Sequence, residues 1–163
     1  MNSPSHNGKA TSEDLMESEV LVVQVGTAHG LKKVGSNGRP IRVVVADESP
    51  MVLKTLCSFL NEQGDVQIVG AATDGHQALR RVQELEPDLL LINSRLYRTE
   101  GLEVTCQLKE RPHVPAVIIV TAEDSPACRA AVRTACTDGF VAEQQTLTHL
   151  PAAIRRLLPG ATY

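Results

Sequence analysis

The feature that most constrains this chain is a recurring apolar run of strand length, with no polar face, followed each time by a short polar break and a helical pattern. "IRVVVA" from Ile41 is the first such run. A strand of this kind has no side for water, so it belongs in a sheet covered on both faces by helices. After it, Ser49 and Pro50 read as the N-cap and first residue of a helix, and Leu53, Leu56, Cys57 and Leu60 fall on one face of it. The alternation then repeats. "VQIVGAA" is a strand, Asp74 caps a helix that turns Ala78, Leu79 and Val82 inward, and "LLLIN" is a third strand with a helix from about Leu102. "AVIIVT" is the fourth strand, followed by an alanine-rich helix near Ala127 to Ala135. "GFVA" is a short fifth strand, and Leu150, Ile154, Leu157 and Leu158 line a last helix whose start is blurred by Pro151, a residue suited to a first turn. Five strand–helix units predict an α/β fold, a doubly wound five-stranded parallel sheet with flanking helices.

The regular pattern occupies residues 41–160, and residues 1–40 differ in character. "MNSPSHNGKATSEDLMESE" is polar and "GSNGRP" reads as a linker, so a flexible N-terminal extension is expected. Between them "VLVVQV" (Val20 to Val25) is β-prone, and suits an extra strand, a partner-binding segment, or a run lying ahead of the natural translation start. The net charge of -3 supplies no basic field, which argues against direct DNA binding. No apolar run approaches the ~20 residues needed to cross a bilayer, and no signal-peptide pattern opens the chain. Cys57, Cys106, Cys128 and Cys136 lack CxxC spacing and sit in or beside helical patterns, as buried reduced thiols of a cytoplasmic protein would. His76 and His149 read as surface helix residues, and the histidines show no metal-ligand spacing.

In a doubly wound sheet, ligands bind outside the carboxyl ends of the strands. Here those ends carry Asp47 and Glu48 after the first strand, Asn93 on the third, Thr121 on the fourth and Glu143 after the fifth. No nucleophile–base pair can be assembled from them, so an enzyme is not expected. The acidic pair also suits a solvated loop that contacts the N-terminus of the next helix.

In order and spacing, "IRVVVADESPMVLKTL", "TDGHQAL", "PDLLLINSRL" with "EGLE", "VIIVTA" and "DGF" resemble the receiver domain of bacterial response regulators, the phosphoacceptor half of two-component signalling. The resemblance covers about three quarters of the chain and implies a flavodoxin-like sheet of strand order 2-1-3-4-5. It implies that Asp47 and Glu48 match an acidic pair holding a divalent cation, usually Mg2+. Thr121 matches the hydroxyl that moves toward the phosphoryl group, and Phe140 matches the aromatic switch position. Two positions depart from the pattern. Asn93 stands where the family has its phosphoacceptor Asp, and Glu143 where it has a Lys that pairs with phosphoryl oxygens. Tyr97 and Glu100 replace a common Pro and Asp in the loop after the third strand.

An aspartyl phosphate forms when a carboxylate oxygen attacks phosphorus while cations neutralise the transferring oxygens. An amide oxygen carries no full charge and is a poor nucleophile. With Asp47, Glu48 and Glu143 and no ammonium, the pocket would repel an incoming dianion. The expectation is therefore a stand-alone pseudo-receiver that signals by binding a histidine kinase or another response regulator. Its contact surface would be the face of the fourth helix, fifth strand and fifth helix, where Ala127, Ala130, Ala131 and Ala135 allow close approach and Arg129 and Arg133 set orientation. Two alternatives stay open: phosphorylation at an atypical residue such as Ser94, and a metal- or small-molecule-binding module using Asp47, Glu48, Asn93 and Glu143 as oxygen ligands.

Overall fold

The computed structural model describes residues 39–96, 99–112, 114–123, 125–134 and 137–158. In chain order the elements are β1 (Ile41–Ala46), α1 (Pro50–Asn61), β2 (Val66–Ala72), α2 (Gly75–Leu85), β3 (Leu89–Asn93), β4 (Arg95–Leu96), β5 (Thr99–Glu100), α3 (Gly101–Lys109), β6 (Ala116–Thr121), α4 (Pro126–Thr134), β7 (Gly139–Ala142), a 3-10 turn over Glu143–Gln145, and α5 (Thr146–Leu157). The five long strands form one parallel sheet in the order β2-β1-β3-β6-β7. Counting only those five, this is the 2-1-3-4-5 order expected from the sequence.

Continuous apolar runs became strands buried on both faces: every residue of β6 is buried, and so are all of β1 but Arg42 and all of β3 but Asn93. The helices then cover the sheet with one stripe each. In α1, Leu53, Leu56, Cys57 and Leu60 are buried, which contributes roughly 1.5–3 kcal/mol for each large aliphatic side chain removed from water. Ser49 caps that helix by accepting from the Val52 amide, and Asp74 caps α2 by accepting from Gln77 at 2.8 Å. Both caps are those expected from the sequence.

Three expectations need correction. Pro151 lies in the second turn of α5, because the 3-10 turn after β7 lets the helix begin at Thr146. Proline has no N–H, so the Leu147 carbonyl loses its partner within the helix. The cysteines are not uniformly buried: Cys57 is, and burial pushes its thiol up to about 12, but Cys106 is exposed and Cys128 half-buried. Cys106 sits on the solvent side of α3, whose buried face carries Val104, Thr105 and Leu108. Finally, the segment after β3 is not a plain loop but a small antiparallel hairpin, β4 with β5, that buries Leu96. The "VLVVQV" segment, Tyr97, Ala135 and Cys136 lie outside the described residues. His76 and His149 are exposed, as expected.

At the opposite end of the sheet, Asp88 clasps the entry to β1. Its carboxylate accepts from both terminal nitrogens of Arg39 at 2.8 Å and from the Arg42 amide at 2.9 Å. The fork raises the Arg39 guanidinium above its ordinary range, chiefly through the hydrogen bonds. A second fork joins Arg155, near the end of α5, to Asp65 just before β2 at 2.7 Å and 3.2 Å.

Candidate functional site

Parallel register brings the polar strand ends together. Ala46 pairs with Ile92, Asn93 with Val120, and Thr121 with Ala142. One residue further along, Asp47 therefore faces Asn93, and Glu143 opens the turn beyond β7. Four residues scattered over the chain become neighbours at one edge because parallel strands all end on the same side.

Asp47 is only 4% exposed and its charge is held by donors from two directions. The Ser49 amide donates to its Oδ1 at 2.8 Å, and the Asn93 side-chain amide donates from Nδ2 to its Oδ2 at 2.8 Å. Asn93 Oδ1 in turn accepts from the Arg95 amide at 2.9 Å. These two bonds fix which way the carboxamide points. Reversing it would set oxygen against carboxylate and NH2 against N–H, two unfavourable contacts in place of two favourable ones. The chain holds this arrangement from behind as well. Ser94 donates its amide to the Val120 carbonyl at 2.8 Å, and Gly101 donates to the Ser94 carbonyl at 3.0 Å. Gly101 packs so closely that a Cβ there would collide with the Asn93 carbonyl oxygen.

Thr121 is buried, but it points its bonds along its own loop. Its hydroxyl donates to the Glu123 carbonyl at 3.3 Å, accepts from the Glu123 amide at 3.2 Å, and lies 3.7 Å from Cys128 Sγ in α4. It forms no hydrogen bond to Asn93 among the described residues. Phe140 is half-buried and packs against the core. Glu48 and Glu143 are exposed, and neither is ion-paired among the described residues. Asp47, Asn93 and Glu143 thus lie at one edge, as their strand-end positions predict, whereas the direct Asp47–Asn93 bond and the groove beside it have no signal in the sequence.

That groove is a pocket of ≈ 270 Å³ lined by Asp47, Met51, Val52, Thr55, Leu56, Val120, Glu143, Thr146 and Leu147. Among the described residues, Met51 and Leu147, in the first turns of α1 and α5, are the large apolar side chains left exposed, at 79% and 48%. Met51 could have been noticed from sequence, because it stands off the buried stripe of α1. Leu147 could not, since it shares the spacing of Leu150 and Ile154 and reads as core.

Such a parallel sheet, with an acidic residue buried at the end of its first strand and polar residues at the ends of the neighbouring strands, defines a receiver-type signalling domain. Residues 43–155 match the response regulator receiver domain, well over half of the chain, and the protein belongs to that family. Among curated relatives, it is 35% identical over 81 residues to the transcriptional regulatory protein LiaR of Bacillus subtilis, covering 50% of this chain and 38% of that protein. It is 29% identical to the response regulator protein VraR of Staphylococcus saprophyticus over 72% of this chain and 56% of that one. A protein-glutamate methylesterase/protein-glutamine glutaminase of Anaeromyxobacter dehalogenans is 33% identical over 59% of this chain, a match that takes in 27% of the enzyme. The matches therefore span little more than half, or less, of these relatives. Among solved structures, the signal receiver domain of the putative response regulator NarL from Mycobacterium tuberculosis superposes with a TM-score of 0.69, at 28% identity, over 75% of this chain and 98% of that one.

Receiver domains typically bind Mg2+ at their acidic site. The donor set here does not fit a resident cation as arranged. The group facing Asp47 Oδ2 is an NH2, which donates a hydrogen bond and cannot ligate a metal. Among the described residues no three carboxylate, thiol or imidazole groups converge closely enough to hold an ion. No helix among them is long and apolar enough to cross a membrane.

Proposed function

We propose that this chain is a pseudo-receiver, a non-enzymatic module of two-component phosphorelay signalling that acts by binding proteins, with phosphorylation at the usual strand-end position lost. The observation that carries this reading is the 2.8 Å bond from Asn93 Nδ2 to Asp47 Oδ2. In an acceptor site, that position needs a carboxylate free to attack phosphorus and a cation between it and its acidic neighbour. Asn93 supplies no free carboxylate, and its amide takes up the acidic neighbour itself. Glu143, exposed at the same edge, adds negative charge where an incoming phosphoryl dianion would need positive charge.

Receiver domains interact with histidine kinases or with response regulators, and we assign this chain partners of those classes, in the cytoplasm where they operate. The face formed by α4, β7 and α5 is the contact surface we assign. Ala127, Ala130 and Ala131 are exposed on α4, and Thr121 and Phe140 lie behind that face. The side chains of Arg129 and Arg133 lie outside the described ones. The fit of Asp47, Glu48, Asn93 and Glu143 to a metal-binding module is weakened by the Asn93–Asp47 bond. Ser94 is half-buried, which restricts the approach of a phosphodonor to its hydroxyl and weighs against phosphorylation there.

The test is intact mass after incubation with acetyl phosphate and magnesium. Wild type should gain no phosphoryl adduct, Asn93→Asp should gain little, and Asn93→Asp with Glu143→Lys should gain more. A base-labile adduct on the wild-type chain would overturn the reading.

A further inference from the structure

Resting on the reading that this chain works by binding proteins, we infer that the groove between the first turns of α1 and α5 receives a single Lys or Arg side chain that a protein partner presents between apolar residues. The first reason is its lining. Met51, Val52, Leu56, Val120 and Leu147 make it apolar, while Asp47 and Glu143 are its charged residues and both are acidic. A cationic side chain with a long aliphatic stem matches this combination, because the stem lies along apolar surface while the head seeks a carboxylate.

The second reason is charge that the domain leaves uncompensated. Asp47 is almost wholly buried, yet its donors are neutral amides, from Ser49 and Asn93. Neither Asp47 nor Glu143 forms an ion pair among the described residues. A carboxylate has about four acceptor positions, so the two bonds that Asp47 already makes leave capacity for a further donor. With no cation paired to either carboxylate among the described residues, and with the amide of Asn93 standing where a metal ion would, a partner's side chain is the source of positive charge that we assign.

The third reason is the exposure of Met51 and Leu147 at the mouth. Apolar residues of a partner on either side of its cation would cover them, and such burial around a charge-assisted hydrogen bond is how a compact contact gains both affinity and selectivity. The volume, ≈ 270 Å³, suits one long side chain and not a helix.

The experiment follows backbone amide shifts of the full chain during titration with two blocked tripeptides, acetyl-Leu-Lys-Leu-amide and its norleucine counterpart, which keeps the stem and removes the charge. The lysine peptide should give saturable shifts at Met51, Glu143 and Leu147, and the norleucine peptide should bind about three- to ten-fold more weakly. Glu143→Lys, an exposed change that leaves the fold intact, should weaken the lysine peptide by a similar factor, and Met51→Ser should weaken both peptides. No saturable shift, equal binding of the two peptides, or indifference to Glu143→Lys overturns the inference. So does magnesium at millimolar concentration giving the same shifts and competing with the peptide. If the peptides fail while wild type still resists acetyl phosphate, the groove assignment falls and the pseudo-receiver reading stands. A phosphoryl adduct on wild type removes that reading whatever the peptides do.

Discussion

Replacing Asn93 by Asp tests the site at the bond on which its interpretation depends. In the wild type, Asn93 Nδ2 donates to Asp47 Oδ2 at 2.8 Å, and Asp47 is 4% exposed. The substitution removes a hydrogen bond to a charged acceptor, which contributes about 1.5–3 kcal/mol. It also sets two carboxylates against each other; at about 4 Å, with an effective dielectric of about 20, like charges repel by about 4 kcal/mol. The pair can relieve part of this by moving apart or sharing a proton, so a net loss of about 2–4 kcal/mol is expected. For a domain of this size that lowers Tm by about 10 °C, and by at least about 5 °C. The sign with pH follows from the shared proton. The folded variant holds that proton more tightly than the unfolded chain does, so its stability is greatest in mild acid and falls as pH rises. Magnesium should reverse most of the loss in the variant, because a cation between the carboxylates removes the repulsion, and should leave wild type nearly unchanged. The assay is thermal unfolding followed by far-ultraviolet circular dichroism at about pH 6 and about pH 8, with and without magnesium. A variant as stable as wild type at the higher pH without magnesium would refute the reasoning. A wild type that gains as much from the ion as the variant does would refute it too.

Other changes probe the supports of the site. Gly101→Ala should cost about 1–3 kcal/mol, because its Cβ would collide with the Asn93 carbonyl oxygen and neither backbone can yield without breaking the Gly101–Ser94 bond; urea unfolding reads this directly. Asp88→Ala should cost about 1.5–3 kcal/mol, since it strands the Arg42 amide and releases the half-exposed Arg39, and the loss should appear as a lower urea midpoint with unchanged slope. Thiol labelling near pH 8 should modify exposed Cys106 quickly and leave Cys57 intact in the native protein, checked by peptide mass mapping. Because the folded state holds the Cys57 proton up to about 12, against 9.0 for a free thiol, its contribution to stability is complete below pH 9.0 and disappears as pH climbs toward 12; Cys57→Ala should flatten that alkaline loss.

Much of this protein can be read from its sequence because the signals are local. A run such as "AVIIVT" has no solvent face, so it becomes a covered strand in whatever sheet it joins. Ser49 before Pro50 and Asp74 before Gly75 satisfy orphan amides at helix starts, so the two caps follow from neighbouring residues alone. Parallel connections through helices then put every strand's carboxyl end on one side, which is why Asp47, Asn93, Thr121 and Glu143 were legible as a set before their positions were known.

What the sequence left open depends on distances between residues far apart in the chain. Asn93 reads as a missing carboxylate, yet only the β1–β3 register makes it a donor to Asp47, 46 positions away. Thr121 reads as a residue aimed at the strand-end pocket, but its hydroxyl is taken up by its own loop at Glu123. Leu147 has the spacing of a core residue, and it is exposed because the 3-10 turn sets where α5 begins and so where its first turn points. Periodicity records which face of an element is apolar; it carries no information on what another element places opposite that face. The pairing of the amide with the carboxylate and the open groove beside it are therefore properties of the packed sheet, decided when β1, β3, α1 and α5 come together.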